Sequence, residues 1–165
     1  MDNKVVQTLA RAFVQCGWVA VRFNFRGVGA SAGEHDAGRG ECDDFLAVVA
    51  QCAATGSLAL SGFSFGSFVM SHALESLWST REIEKLVFVG TAASRFQVAT
   101  LPQPAHARTL IIHGEQDDTV PLASVLDWAR PQSLPVTVIP GVAHFFHGQL
   151  PLLKNLVVRH LLAPV

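Results

Sequence analysis

The chain contains no tyrosine, only three cysteines and few charges of either sign. The missing tyrosine excludes nothing on its own. Cys16, Cys42 and Cys52 are odd in number and show no C-x-x-C spacing. That pattern argues against a disulfide framework and offers no clustered ligand set for a metal. They read as reduced thiols of a cytoplasmic protein, packed mostly on helices. Charged residues make up 15% of the chain against 50% hydrophobic, a balance that excludes disorder. The net charge is −1, with no basic block and no acidic tail, so nucleic acid is not an expected partner. Apolar runs are short and broken by Gly, Pro or charge, so no membrane span is expected. The opening MDNKVVQTLARAF lacks the basic start and apolar core of a signal peptide. With 165 residues, one domain (1–165) with a substantial core is expected.

What is present alternates between helical and extended periods. Val5, Leu9, Phe13 and Cys16 recur at helical spacing after a cap at Asp2 or Asn3, with Gly17 as the stop. WVAVRFNF (residues 18–25) reads as a strand, followed by the glycine-rich loop RGVGASAGEHDAGRG. A helix is expected over 43–54, a strand over 57–63, and a helix through Phe68, Val69, Ala73, Leu74 and Leu77. LVFVG (86–90) and TLIIH (109–113) read as buried strands. Residues 121–130 predict a helix with Pro121 in its first turn. VTVI (136–139) reads as a strand and residues 150–162 as a closing amphipathic helix. Strands alternating with helices imply crossover connections, hence a mostly parallel sheet in a three-layer α/β/α sandwich. Ligands of such sheets bind beyond the carboxyl ends of the strands. The segments 26–31, 62–66, 113–121 and 141–144, rich in Gly, Ser, Asp and His, all fall there.

Gly62-Phe63-Ser64-Phe65-Gly66 sits between a strand, LALSGF, and a helix, FGSFVMSHALESLW. The G-x-S-x-G pattern alone is weak; a chain this long yields one by chance on the order of one time in twenty. Strand before and helix after are what a nucleophile elbow requires: a serine on a strained turn, with flanking glycines that let strand and helix approach closely. The helix N-terminus would direct partial positive charge at the site, and the N–H of Phe65 would face a developing oxyanion. A serine hydroxyl needs a base, and the base a carboxylate. HGEQDDTVP (113–121) and PGVAHFF (140–146) follow two later strands, so Asp117 and His144 would project onto the rim that carries Ser64. The chain order Ser, Asp, His is that of α/β-hydrolases and differs from the chymotrypsin and subtilisin orders.

Taken together, the NKVV…LARAF helix, the VRFNFRGVGxSxG loop, GxSxG, HGExDxxVP and GxxHFF resemble the small, lidless bacterial α/β-hydrolases over nearly the whole chain. The resemblance implies Ser64 as nucleophile, Asp117 as the acid, with Asp118 as the alternative, and His144 as the base. It implies hydrolysis of small carboxylic esters or related acyl compounds, with no metal and no organic cofactor. Relatives carry, before the NKVV helix, a central strand and an HPHP…GG loop that supplies the second oxyanion N–H. Here Met1 directly precedes DNKVV, so Phe65 is the one oxyanion donor given by motif and low activity of the chain alone is expected.

Other motifs carry less. Gly27, Gly29 and Gly33 give G-x-G-x-x-x-G with no helix expected at once, unlike a dinucleotide fingerprint, and no Gly-Lys-Ser/Thr follows. Arg26 and Ser31 are expected to fix that loop's shape. His113 and His147 read as a structural and a rim residue; His35, His72, His106 and His160 have no partner pattern. Residues 92–108 are too few for a lid domain, and Phe63, Phe65, Phe96, Phe145 and Phe146 are candidates for an apolar wall. The expected partner is a small acyl substrate. The sequence is also compatible with two rival readings: a cofactor-free perhydrolase or carbon–carbon hydrolase using the same three residues, and a non-catalytic binding domain.

Overall fold

The computed structural model describes residues 3–164. Asn3 opens the first helix, α1 (Lys4–Gln15): its side-chain oxygen accepts from the N–H groups of Val5 and Val6 at 2.9 and 3.2 Å. That is the expected cap satisfying two orphan donors of the first turn. The other candidate cap, Asp2, lies outside the described residues. Four strands follow, β1 (Leu58–Phe63), β2 (Ile83–Val89), β3 (Thr109–Gly114) and β4 (Val136–Ile139), all parallel and in the order β1-β2-β3-β4. Between and around them lie α2 (Arg39–Cys52), α3 (Phe65–Trp78), α4 (Leu122–Ala129) and α5 (Leu150–Leu162).

Alternation along the strands divides the interior in two. Leu58, Leu60, Leu86, Phe88 and Ile111 pack with Phe45 of α2, α3 and α4 on one face. Val87, Val89, Ile112 and Ile139 pack with α1 and α5 on the other. This is the three-layer arrangement with helices on both sides of a parallel sheet, and it sets all four strand ends along one rim.

Four expectations are corrected. Residues 18–25 form no ladder with any described strand, and β1 pairs only with β2. Apolar alternation reports which side chains want cover, whereas a strand also needs a hydrogen-bonding neighbour. Trp18 and Ala20 still lean on the α1/α5 side and Phe23 and Phe25 on the α2/α3 side, while Val19 is 91% exposed. Next, α2 begins at Arg39 rather than residue 43. Glu41 accepts from the N–H of Gly38 at 2.8 Å, so the helix starts where its first turn finds an acceptor. Further, Pro121 is the cap of α4 and not its first-turn residue. The strand expected over 86–90 runs instead from Ile83 to Val89, and β4 and α5 have the expected bounds.

Candidate active site

Ser64 occupies the junction of β1 and α3. Its backbone has φ 54 and ψ −117, a conformation that costs energy for any residue with a Cβ. The turn is pinned on both sides. The Ser64 N–H donates to Val89 O at 2.8 Å, extending the β1–β2 ladder by one bond. Ser67 Oγ, fully buried, donates to Gly62 O at 2.7 Å and ties the first turn of α3 to β1. A Cβ on Gly62 would lie 2.5 Å from Ser67 Cα, so only glycine fits there. Gly66 is different: a Cβ on it would meet nothing within 4 Å. The expectation that both flanking glycines serve close approach therefore holds for Gly62 alone. Phe65 is the first residue of α3, where an N–H has no acceptor one turn back within the helix.

His144 reaches Ser64 from the loop after β4. The Ser64 hydroxyl lies 3.0 Å from His144 Nε2, and His144 Nδ1–H donates to Asp117 Oδ2 at 2.6 Å. The proton placement follows from Asp117, whose oxygens can only accept when ionised. Its Oδ1 is already held by the N–H groups of Thr119 and Val120 at 3.0 and 2.7 Å. Burial works to raise the Asp117 carboxyl, but the His144 hydrogen bond and the Val120 N–H outweigh it and hold the group below the usual carboxylate range. Asp118 is exposed and hydrogen-bonds with the Thr119 hydroxyl at 3.3 Å instead of the imidazole. Ser64, Asp117 and His144 thus come together from three post-strand segments.

Close packing fixes the imidazole. Its ring lies 4.8 Å from Phe63, centroid to centroid, and 5.1 Å from Phe145. A Cβ on Gly90 (φ 54) would come 3.1 Å from His144 Cε1, so the glycine that ends LVFVG is what admits the ring. Behind the acid, fully buried His113 donates from Nε2 to Val120 O at 2.9 Å and closes the 113–120 turn. Burial pushes its pKa down, so it stands there as a neutral strut. Of the five phenylalanines expected to wall the site, Phe146 is fully buried core and Phe63 is mostly covered; Phe65, Phe96 and Phe145 keep exposed surface.

The glycine-rich loop is anchored as expected, with Arg26 bidentate on Asp44 (3.1 and 2.8 Å) and Ser31 Oγ donating to Asn24 O at 3.2 Å. One pairing escaped sequence reasoning. His35 Nδ1 lies 2.7 Å from Oε1 of Glu41, and the His35 ring rests 5.3 Å from that of Phe65. The available signal was an acid three residues after Gly38 at a helix start, immediately after the glycine-rich loop 26–40. His72, His106 and His160 likewise each meet a backbone carbonyl, of Gln97, Leu101 and Arg108.

A parallel sheet with helices on both faces and a serine on a strained strand–helix turn define an α/β-hydrolase. The chain belongs to the α/β serine hydrolase family. It superposes on a lidless α/β serine hydrolase of Xanthomonas campestris with a TM-score of 0.84 and 36% identity, over 97% of this chain and 73% of that one. An α/β serine hydrolase homologue of Coxiella burnetii matches with a TM-score of 0.79 and 38% identity, over 99% of this chain and 78% of the other. Among curated sequences, an uncharacterised protein of Rickettsia prowazekii is 29% identical over 163 residues, and the match spans 66% of its length. No family model matches the chain.

Proposed function

We propose that the chain is a serine hydrolase that cleaves small carboxylic esters or thioesters through an acyl-enzyme. The observation that carries this reading is the continuous relay Ser64 Oγ–His144–Asp117, at 3.0 and 2.6 Å. Ser64 attacks the carbonyl carbon as His144 Nε2 takes its proton. The tetrahedral oxyanion accepts from the Phe65 N–H at the start of α3. His144 then gives its proton to the leaving oxygen or sulfur. Water, deprotonated by the same imidazole, attacks the acyl-enzyme and frees the acid and Ser64. Asp117 holds the imidazole with Nε2 facing the serine and stabilises its charged form.

The catalytic assignments Ser64, Asp117 and His144, with Phe65 as oxyanion donor, belong to this proposal, as does a small acyl substrate as partner. A fluorophosphonate probe tests it. The wild-type chain is expected to be labelled and Ser64→Ala not. Asp117→Asn is expected to lower the labelling rate about 10³- to 10⁴-fold by misorienting the imidazole. Equal labelling of wild type and Ser64→Ala would overturn the nucleophile assignment.

A further inference from the structure

Two imidazoles pack on the phenylalanines that neighbour the serine in sequence. His144 packs on Phe63, the residue before Ser64, and His35 packs on Phe65, the residue after it. Each is backed by a buried carboxylate through Nδ1, Asp117 at 2.6 Å and Glu41 at 2.7 Å. The relay uses only the first pair. Glu41 is fully buried, and its oxygens accept from the N–H groups of Asp36 (3.0 Å) and Gly38 (2.8 Å). Such a carboxylate is fixed as an acceptor, so the proton of a neutral His35 ring sits on Nδ1. Nε2 is then a bare acceptor. The side chain is 61% exposed, and among the described residues Nε2 has no hydrogen-bond partner.

What surrounds it is aromatic. Phe65 lies 5.7 Å from Phe25 and 5.1 Å from Phe96, and all three rings are partly exposed. The space beyond Gly66, one residue further along α3, is open. Resting on the reading of Ser64 as the nucleophile, we infer that this shelf is a substrate subsite, with His35 its specificity-determining residue. It takes an ester whose aromatic arm carries a hydroxyl group that donates to His35 Nε2. Glu41 acts through His35 as a positioning residue that sets the tautomer and the ring's direction.

Two pairs of esters test this: 4-hydroxybenzyl acetate against benzyl acetate, and methyl 4-hydroxyphenylacetate against methyl phenylacetate. In wild type, the hydroxylated member of at least one pair is expected to show about 10-fold higher kcat/KM, carried by KM. His35→Phe keeps a ring on Phe65 and removes the acceptor. It should abolish the preference, bringing the two members of each pair to the same kcat/KM. His35→Gln, whose amide oxygen can accept, should restore part of the preference. The same ratio in wild type and His35→Phe for both pairs overturns the inference. A second measurement needs no turnover. In Ser64→Ala protein, the ¹⁵N resonance of His35 Nε2 should move on titration with a hydroxylated ester and stay still with its unsubstituted partner. A resonance that ignores all four esters overturns the subsite. If it responds while wild type hydrolyses none of them, the subsite stands and the hydrolase reading fails.

Discussion

At the scale of single residues, the G-x-S-x-G pattern dissolves into unequal parts. Gly62 is a steric necessity because backbone atoms of Ser67 and Gly66 occupy the place of its missing side chain. Gly66 has no such neighbour. Gly62→Ala must move α3 off β1 and is expected to cost about 1–3 kcal/mol, as overpacking does. Gly66→Ala replaces a helical glycine facing open space and should melt no lower than wild type. Thermal denaturation of the two variants separates these outcomes; equal destabilisation would mean that the turn depends on both. Glycine at 62 also explains why Ser64 can hold a positive φ. The strain is confined to one residue by bonds on either side of it, from Ser64 N–H to Val89 O and from Ser67 Oγ to Gly62 O.

At the scale of elements, the segment 18–25 is where sequence and structure part. Its valines at 19 and 21 are exposed, and β1 has a ladder partner on one side only among the described residues. Unpaired strand edges beside exposed apolar side chains invite self-association. Sedimentation velocity is expected to show concentration-dependent association that Val19→Lys with Val21→Lys reduces; a monodisperse monomer at every concentration would contradict it. The sequence carried β4 and α5 to their ends because Pro, Gly and a change of period bound them. It carried Ser64, Asp117 and His144 to one rim because each follows an apolar strand pattern. It did not reveal that residues 18–25 lack a partner, since alternation describes faces and not neighbours. Nor did it reveal the His35–Glu41 pair, which depends on the path of a loop between Gly27 and Gly38 and has no period to read.

At the scale of the molecule, imidazoles shielded from water make stability depend on pH, His113 buried and His160 half-buried. Burial lowers the pKa of His113 and of His160 below the ordinary 6.5, and for His160 the charge of Lys85 adds to it. Below pH 6.5 the unfolded chain binds protons that the folded chain refuses. Stability therefore falls as pH drops from about 6.5 towards each folded-state value, by at most about 1.4 kcal/mol per pH unit for each group. Asp117 works in the same direction at lower pH. Its depressed carboxyl contributes stability above its unfolded value, which is lost as pH falls through the folded one. Denaturant midpoints are expected to be lower at pH 5 than at pH 7.5, and equal midpoints would count against the shielded, neutral imidazoles.

Ser64 and His144 stand 80 positions apart along the chain. Their hydrogen bond closes a loop containing β2, β3 and β4, so its formation waits on three parallel pairings of distant segments, which are slow to assemble. Helices form locally and early. On refolding from denaturant, fluorophosphonate reactivity should therefore lag the far-ultraviolet helical signal. On heating it should vanish no later than that signal does. On the proposed reading of Ser64 as the nucleophile, its reactivity would be a clock that reports when the last strand has arrived.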